Sequence, residues 1–177
     1  AKLGATVSFD ARPNFDPETG NINYQLLLQS VMSAAMPPEE KEKIQKIVDQ
    51  LDPSDFSSDA VNARGVVISH SDWISTNFKR EKLKIAWKEF FKEWDILICP
   101  QMATPAFEHD HRNYNERTIK VNNQEQSYFQ QIFWAGMIVN AYLPSTVFPT
   151  GPSKDGLPIG LQAVSGAYQD YKTIEFT

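Results

Sequence analysis

The sequence predicts an α/β domain in which a mixed β-sheet is flanked by helices and accompanied by an extra hairpin. Three observations predict it. Leu83, Ala86, Trp87, Phe90, Phe91 and Trp94 recur at helical spacing, and Asp95 then passes straight into the apolar run Ile96-Leu97-Ile98-Cys99. Residues 143–170 read as two short strands, with Thr146, Val147 and Phe148 in the first and Ile159, Leu161, Ala163 and Val164 in the second. Between them Pro149, Gly151, Pro152, Gly156 and Pro158 leave no room for a helix, because Pro fixes φ and removes donors while Gly supplies positive φ. Finally, Thr118-Ile119-Lys120-Val121 leads into Asn122-Asn123, a pair that tolerates the left-handed turn of a hairpin.

The elements follow in order. Residues 3–9 alternate Leu3, Ala5, Val7 and Phe9 with Gly4, Thr6 and Ser8, the period-2 pattern of a half-buried strand. Residues 10–20, with Pro13, Pro17 and Gly20, read as loop. Asn21 is placed to cap a helix carrying Tyr24, Leu27, Leu28, Val31, Met32 and Ala35 at helical spacing. Pro37 and Pro38 stop that helix and open the next, where Glu39, Glu40 and Glu42 suit the N-terminal dipole. Ile44, Ile47, Val48 and Leu51 form its stripe, expected to be buried. Residues 52–63 are polar, a loop with room for one helical turn, and Val66-Val67-Ile68 is too short a run to assign. Ser71 or Asp72 is expected to cap the long helix that reaches Trp94, whose aromatic face is read as core. The apolar run 96–99, halted by Pro100, is expected to be a central strand covered on both faces. After a loop at 101–115 and the hairpin, a helix starts at Gln126 or Ser127. With Phe129, Ile132, Phe133, Trp134, Met137, Ile138 and Ala141 it is apolar nearly all round, hence buried, until Pro144 ends it.

The length of 177 residues suits one unit, 1–177, with a sizeable core. Hydrophobic and charged fractions of 41% and 22% are those of a globular protein, which argues against disorder. The net charge of −5 is spread along the chain, against nucleic acid or an anionic membrane as main partner. One cysteine, Cys99, excludes an intrachain disulfide and a Cys-rich metal site and suits a cytoplasmic location. No run approaches the ~18 apolar residues of a membrane span. The first ten residues have neither the charged nor the apolar region of a signal peptide, and no Met. The expectation is a processed chain or a piece of something longer.

Several motifs stand in a fixed order: Leu3-Gly4-Ala5-x-Val7, Asp72-Trp73 followed by Arg80, FFKEWDILICP at 90–100, and Thr104-Pro105-Ala106-Phe107. The hairpin, the buried helix and Leu143-Pro144-Ser145-Thr146 come next, then Pro149-Thr150-Gly151 and Gly156-Leu157-Pro158-Ile159-Gly160-Leu161-Gln162. As a series this resembles the C-terminal half of an amidase signature family enzyme. The resemblance implies a partial amidase-signature fold and a parent hydrolase cleaving carboxylic amide C–N bonds through a Ser–cis-Ser–Lys triad. In the family the lysine and its Gly/Ser-rich segment lie upstream of the matched region, and this sequence has no Gly-Gly-Ser-Ser run. A triad works only with nucleophile, base and oxyanion donors in mutual reach, so no residue here inherits a catalytic role.

The expectation is a C-terminal portion, inactive as an isolated chain, that contributes scaffold and substrate-pocket wall. By the resemblance Met102 and Thr104 on a loop, with Trp134, Met137 and Ile138 on a helix, line the acyl side of the substrate site. The other reading of these five is ordinary core, since pockets and cores share apolar composition. The partners implied are a missing N-terminal half of the same protein and a small-molecule amide, with no cofactor; a homo-oligomer stays open. Without that half, the 96–99 strand or its neighbours should present an unpaired edge or an apolar face. Two alternatives stand beside this reading: a non-catalytic binding or assembly module with half an amidase fold, and a protein like the A subunit of a tRNA-dependent amidotransferase. The latter is expected to carry a Tyr-rich segment ahead of the helical Arg; His70-Ser71-Asp72-Trp73 here leans toward a stand-alone amidase.

Other chemistries weigh less. Glu108-His109-Asp110-His111 is the one metal-like cluster, but it falls in a loop with only His70 left as a third imidazole, so no metal site is expected. Cys99 lacks an adjacent group to stabilise a thiolate and reads as a small buried strand residue. Asp72 beside His70 could be an acid–base pair and is more simply a helix cap. Nucleophile-elbow, Ser-x-x-Lys and phosphate-loop templates are absent from the sequence.

Overall fold

A computed structural model describes residues 4–177. Four helices come first: α1 (Pro17–Met32), α2 (Pro38–Val48), α3 (Ser58–Val66) and α4 (His70–Glu93). Strand β1 (Leu97–Pro100) precedes the hairpin β2 (Thr118–Val121) and β3 (Gln124–Ser127). A 3₁₀ turn at Tyr128–Ile132 runs into α5 (Phe133–Asn140), followed by β4 (Ser145–Pro152), β5 (Pro158–Val164) and α6 (Asp170–Phe176).

Local chemistry sets the helix starts. Asp16 accepts the Thr19 N–H at 2.8 Å with Pro17 in the first turn of α1, and Ser69 accepts the Asp72 N–H at 3.0 Å to begin α4. Ser57 caps α3, and Arg64 holds the loop before it by donating to the Asp52 and Asp55 carbonyls. In the hairpin Asn122 and Asn123 adopt φ of 50° and 67°, the left-handed pair that a tight two-residue turn requires.

The main sheet has the order β1-β5-β4, each pair antiparallel. Its register aligns Leu97, Val164 and Ser145, then Cys99, Gln162 and Val147, on one face; Ile98, Ala163 and Thr146 lie on the other. The first face meets α4 and α5 in the core of Trp87, Phe90, Cys99, Ile138, Ala141 and Val164. The second is covered over β4 and β5 by α6, through a 2.8 Å hydroxyl pair between Thr146 and Thr173 and the Phe148 and Phe176 rings. Helix α1 holds the helical layer together at two glycines. A Cβ on Gly136 would fall 2.3 Å from the Tyr24 ring, and one on Gly65 would fall 2.7 Å from the Gln29 Cβ.

The α/β architecture, its helix-flanked sheet and its separate hairpin match the expectation, and the described strand pairs are all antiparallel. Several local readings are corrected. Leu3 lies outside the described residues, and 4–9 form no strand; Phe9 is 85% exposed. Alternation makes a strand only where a neighbouring edge accepts its hydrogen bonds, and no described strand pairs with it. Helix α1 is capped by Asp16 rather than Asn21, because the Asp16 carboxylate, followed by Pro17, starts the helix five residues earlier. Its buried positions are Gly20, Asn21, Asn23, Gln25 and Leu27, while Val31 and Met32 are exposed. No residue of α2 is fully buried: Ile47 faces solvent and Ile44, Val48 and Leu51 are only half covered, since α2 packs chiefly on α3. The supposed loop at 52–63 contains most of the start of α3, and α4 is capped by Ser69, not Ser71 or Asp72. Strand β1 is an edge strand, not a central one, and Ile98 is 47% exposed because α6 does not reach across to it. That is the unpaired edge and uncovered apolar side chain expected of this strand or its neighbours. Among the described residues no helix is long and apolar enough to cross a membrane.

Candidate functional site

The loop that follows β1 carries the first two residues singled out from the sequence, and amide side chains hold it in place. Gln162, on the central strand, accepts the Ser145 hydroxyl at 2.8 Å and donates to the Pro100 carbonyl at 2.9 Å, tying all three strands at the point where β1 gives way to the loop. Four residues on, Thr104 accepts a 2.8 Å hydrogen bond from Gln131 Nε2, which fastens the loop to the 3₁₀ turn ahead of α5. Gln131 is 3% exposed, and its Oε1 has no partner among the described residues. Further along, Phe107 meets the Tyr128 ring edge-on at 5.8 Å. The segment 101–107 is thus tied at Thr104 and Phe107 to the 3₁₀ turn that leads into α5, the helix carrying Trp134, Met137 and Ile138.

Met102 stands at the surface and Thr104 is half-buried. Trp134 and Met137 are partly buried and pack against the core, with the Phe133 ring 5.5 Å from the Trp134 ring. Ile138, at 1% exposure, is inside the core itself. Trp134, Met137 and Ile138, three and four residues apart, therefore share the face of α5 that packs on the core. Pairing of α5 with α1 is polar as well as apolar: Asn140 donates to Asn23 Oδ1 at 3.0 Å, and Asn23 donates to the Thr76 carbonyl of α4 at 2.7 Å. All of these amides escaped the sequence reading. The signal was available, since a lone Asn in the apolar run FWAGMIVN or a Gln in a buried strand must find a partner on burial.

The titratable groups explain which chemistries the fold does not set up. Burial pushes the Cys99 thiol up to about 11, with a small opposing effect from Gln162, so the sulfur stays protonated and un-nucleophilic at neutral pH. Asp110 accepts from the Arg112 side chain at both oxygens, at 3.0 Å and 2.6 Å, which holds its carboxyl down at about 2. That carboxylate is committed to the guanidinium, and the His109 and His111 rings stand edge-to-face 6.1 Å apart. Among the described residues no three His, Cys, Asp or Glu side chains converge as a metal site would need. Asp72 serves the start of α4, its carboxylate accepting the Ser69 hydroxyl at 2.6 Å. A shallow polar cavity of about 440 Å³ lies where Glu18, Ser58 and Gln130 meet, with Gln130 donating to Ser58 at 2.8 Å.

Comparison with known proteins places this arrangement. The family model described as Amidase matches residues 23–174. The A subunit of the glutamyl-tRNA(Gln) amidotransferase of Chlamydia pneumoniae is 32% identical over 96 residues, which cover 54% of this chain and 18% of that protein. A bacterial aryl acylamidase of the amidase signature enzymes shares the fold with a TM-score of 0.66 at 19% identity, covering 98% of this chain and 35% of that one. A further amidase crystal structure gives 0.65 at 16% identity, with 90% and 34% covered. The chain thus spans a minor part of the length of each of these relatives.

Proposed function

The chain belongs to the amidase family, and from that premise we propose that it forms the C-terminal wall of an amide-cleaving hydrolase whose Ser–cis-Ser–Lys residues lie outside it. The observation that carries this reading is the Gln131–Thr104 bond, which holds the loop bearing Met102 against the helix bearing Trp134 and Met137. In this reading Met102, Thr104, Trp134 and Met137 line the acyl side of the substrate site, with Ile138 fixing the helix behind them. An apolar wall of this kind excludes water from the acyl group and positions the carbonyl for attack by a nucleophile held elsewhere. Chemistry itself would come from the remainder of the parent protein, because this sequence has no Gly/Ser-rich segment with a preceding lysine.

The test is ammonia release from small aliphatic and aryl amides. The chain alone is expected to be inactive, and co-expression with the segment encoded upstream is expected to restore hydrolysis. Turnover by the chain alone would overturn the reading. So would an open reading frame that begins at Ala1. A second reading, an amidotransferase A-subunit-like role, is favoured by the 32% identity to the Chlamydia pneumoniae protein. Ammonia release from glutamine, in preference to simple acyl amides, would select it.

A further inference from the structure

A groove of about 570 Å³ lies at the end of the main sheet where β1 and β4 begin and β5 ends, between the C-terminal half of α4 and the 166–169 turn. Met102 and Thr104 follow Pro100 at the opposite end of β1, so the groove is separate from the proposed acyl wall. Its floor is apolar, with Ile85, Phe91 and Leu143, and Ile85 is exposed. Lys84, Lys88 and Lys92 stand along one rim, four residues apart and hence on one helix face. Two of the three are engaged: Lys84 with Glu81 at 2.9 Å, which also neutralises the one carboxylate lining the groove, and Lys92 with Glu89. Among the described residues Lys88 has no carboxylate partner. On the facing wall Tyr168 sits at φ 63° with its side chain 99% exposed, an aromatic that nothing in the fold covers. In a chain of net charge −5, residues 79–92 hold six cations and two carboxylates.

From this juxtaposition we infer that the groove binds an amphipathic monocarboxylate, its chain on Ile85, Phe91 and Leu143 and its carboxylate on Lys88. A ligand that carries both complements can pair with the exposed Lys88 ammonium and cover the apolar floor at once, whereas a tail alone forgoes the ion pair and a short acid leaves the floor wet. Binding of this kind does not depend on the amidase reading, and its test does not measure hydrolysis.

The experiment is calorimetric titration of the full chain with octanoate, alongside octan-1-ol and acetate. One octanoate per chain is expected, weakened by added salt, with both controls binding at least about tenfold more weakly. Lys88→Met should weaken octanoate by about tenfold, Lys88→Arg should retain it, and Lys43→Met on α2 should leave it unchanged. Far-UV circular dichroism checks that each exposed-lysine variant keeps its helices. Absence of saturable binding, equal binding of octan-1-ol, or an unaltered Lys88→Met isotherm would each overturn the inference. A dimer in sedimentation velocity that Lys88→Met abolishes, without octanoate binding, would instead assign the groove to a second copy of the chain.

Discussion

Cys99 shows how one residue's environment decides its chemistry. With its pKa raised to about 11 by burial, the folded thiol keeps its proton where an unfolded one, near ~8.5, has lost it. Its contribution to stability is complete below the unfolded value and falls as pH rises from about 8.5 toward 11. Iodoacetamide at pH 8 is therefore expected to leave native Cys99 unmodified and to alkylate it in urea; rapid native alkylation in intact-mass spectra would contradict this. Asp110 runs the other way. Its Arg112 partner lowers the carboxyl to about 2, so the ion pair is complete above ordinary carboxylate titration and is lost only as pH falls through about 2. A side-chain NMR titration of Asp110 with an ordinary midpoint near ~3.9 would refute that pairing. The buried amides act together. Asn140→Ala leaves Asn23 Oδ1 unpaired and should cost ~1–3 kcal/mol of unfolding free energy by urea denaturation.

At the level of elements, the sequence was most legible where one segment carries its own answer. The hairpin turn at Asn122-Asn123, the strand–turn–strand of β4 and β5, and the aromatic face of α4 each follow from local pattern and turn chemistry, and each is present. It was least legible where a segment depends on what lies beside it. Residues 4–9 alternate correctly and pair with no described strand, α2 has a clean stripe and little to cover it, and β1 is fully apolar yet sits at an edge. Around the candidate site, the residues proposed for the wall were visible as residue types, while the buried amides beside them were not. Amphipathic pattern reports burial, and Gln131, Gln162 and Asn140 are buried for their hydrogen bonds rather than for hydrophobicity. Two substitutions probe the elements. Gly136→Ala drives a methyl into the Tyr24 ring and should cost ~1–3 kcal/mol, read as a lowered urea midpoint. Ser69→Ala removes the cap of α4 and should cost ~1 kcal/mol by the same measurement.

For the whole molecule, the sheet is the element that lacks neighbours. β1 offers an unpaired edge beside exposed Ile98, and Val147 is exposed on β4 at the other edge. Unpaired edges with apolar side chains promote association between chains. Ile98→Lys should lower light scattering on heating while leaving the denaturant midpoint within ~0.5 kcal/mol of the original, as expected of a surface change. Equal scattering by the two proteins would place the sticky surface elsewhere. The single cysteine has a practical reach beyond its pKa. Because the native thiol is silent, Asp155→Cys at the exposed tip between β4 and β5, where Gly156 turns the chain at φ 79°, would be the only sulfur open to a maleimide dye or spin label. The position of that arm can then be followed spectroscopically with every original residue but one left in place.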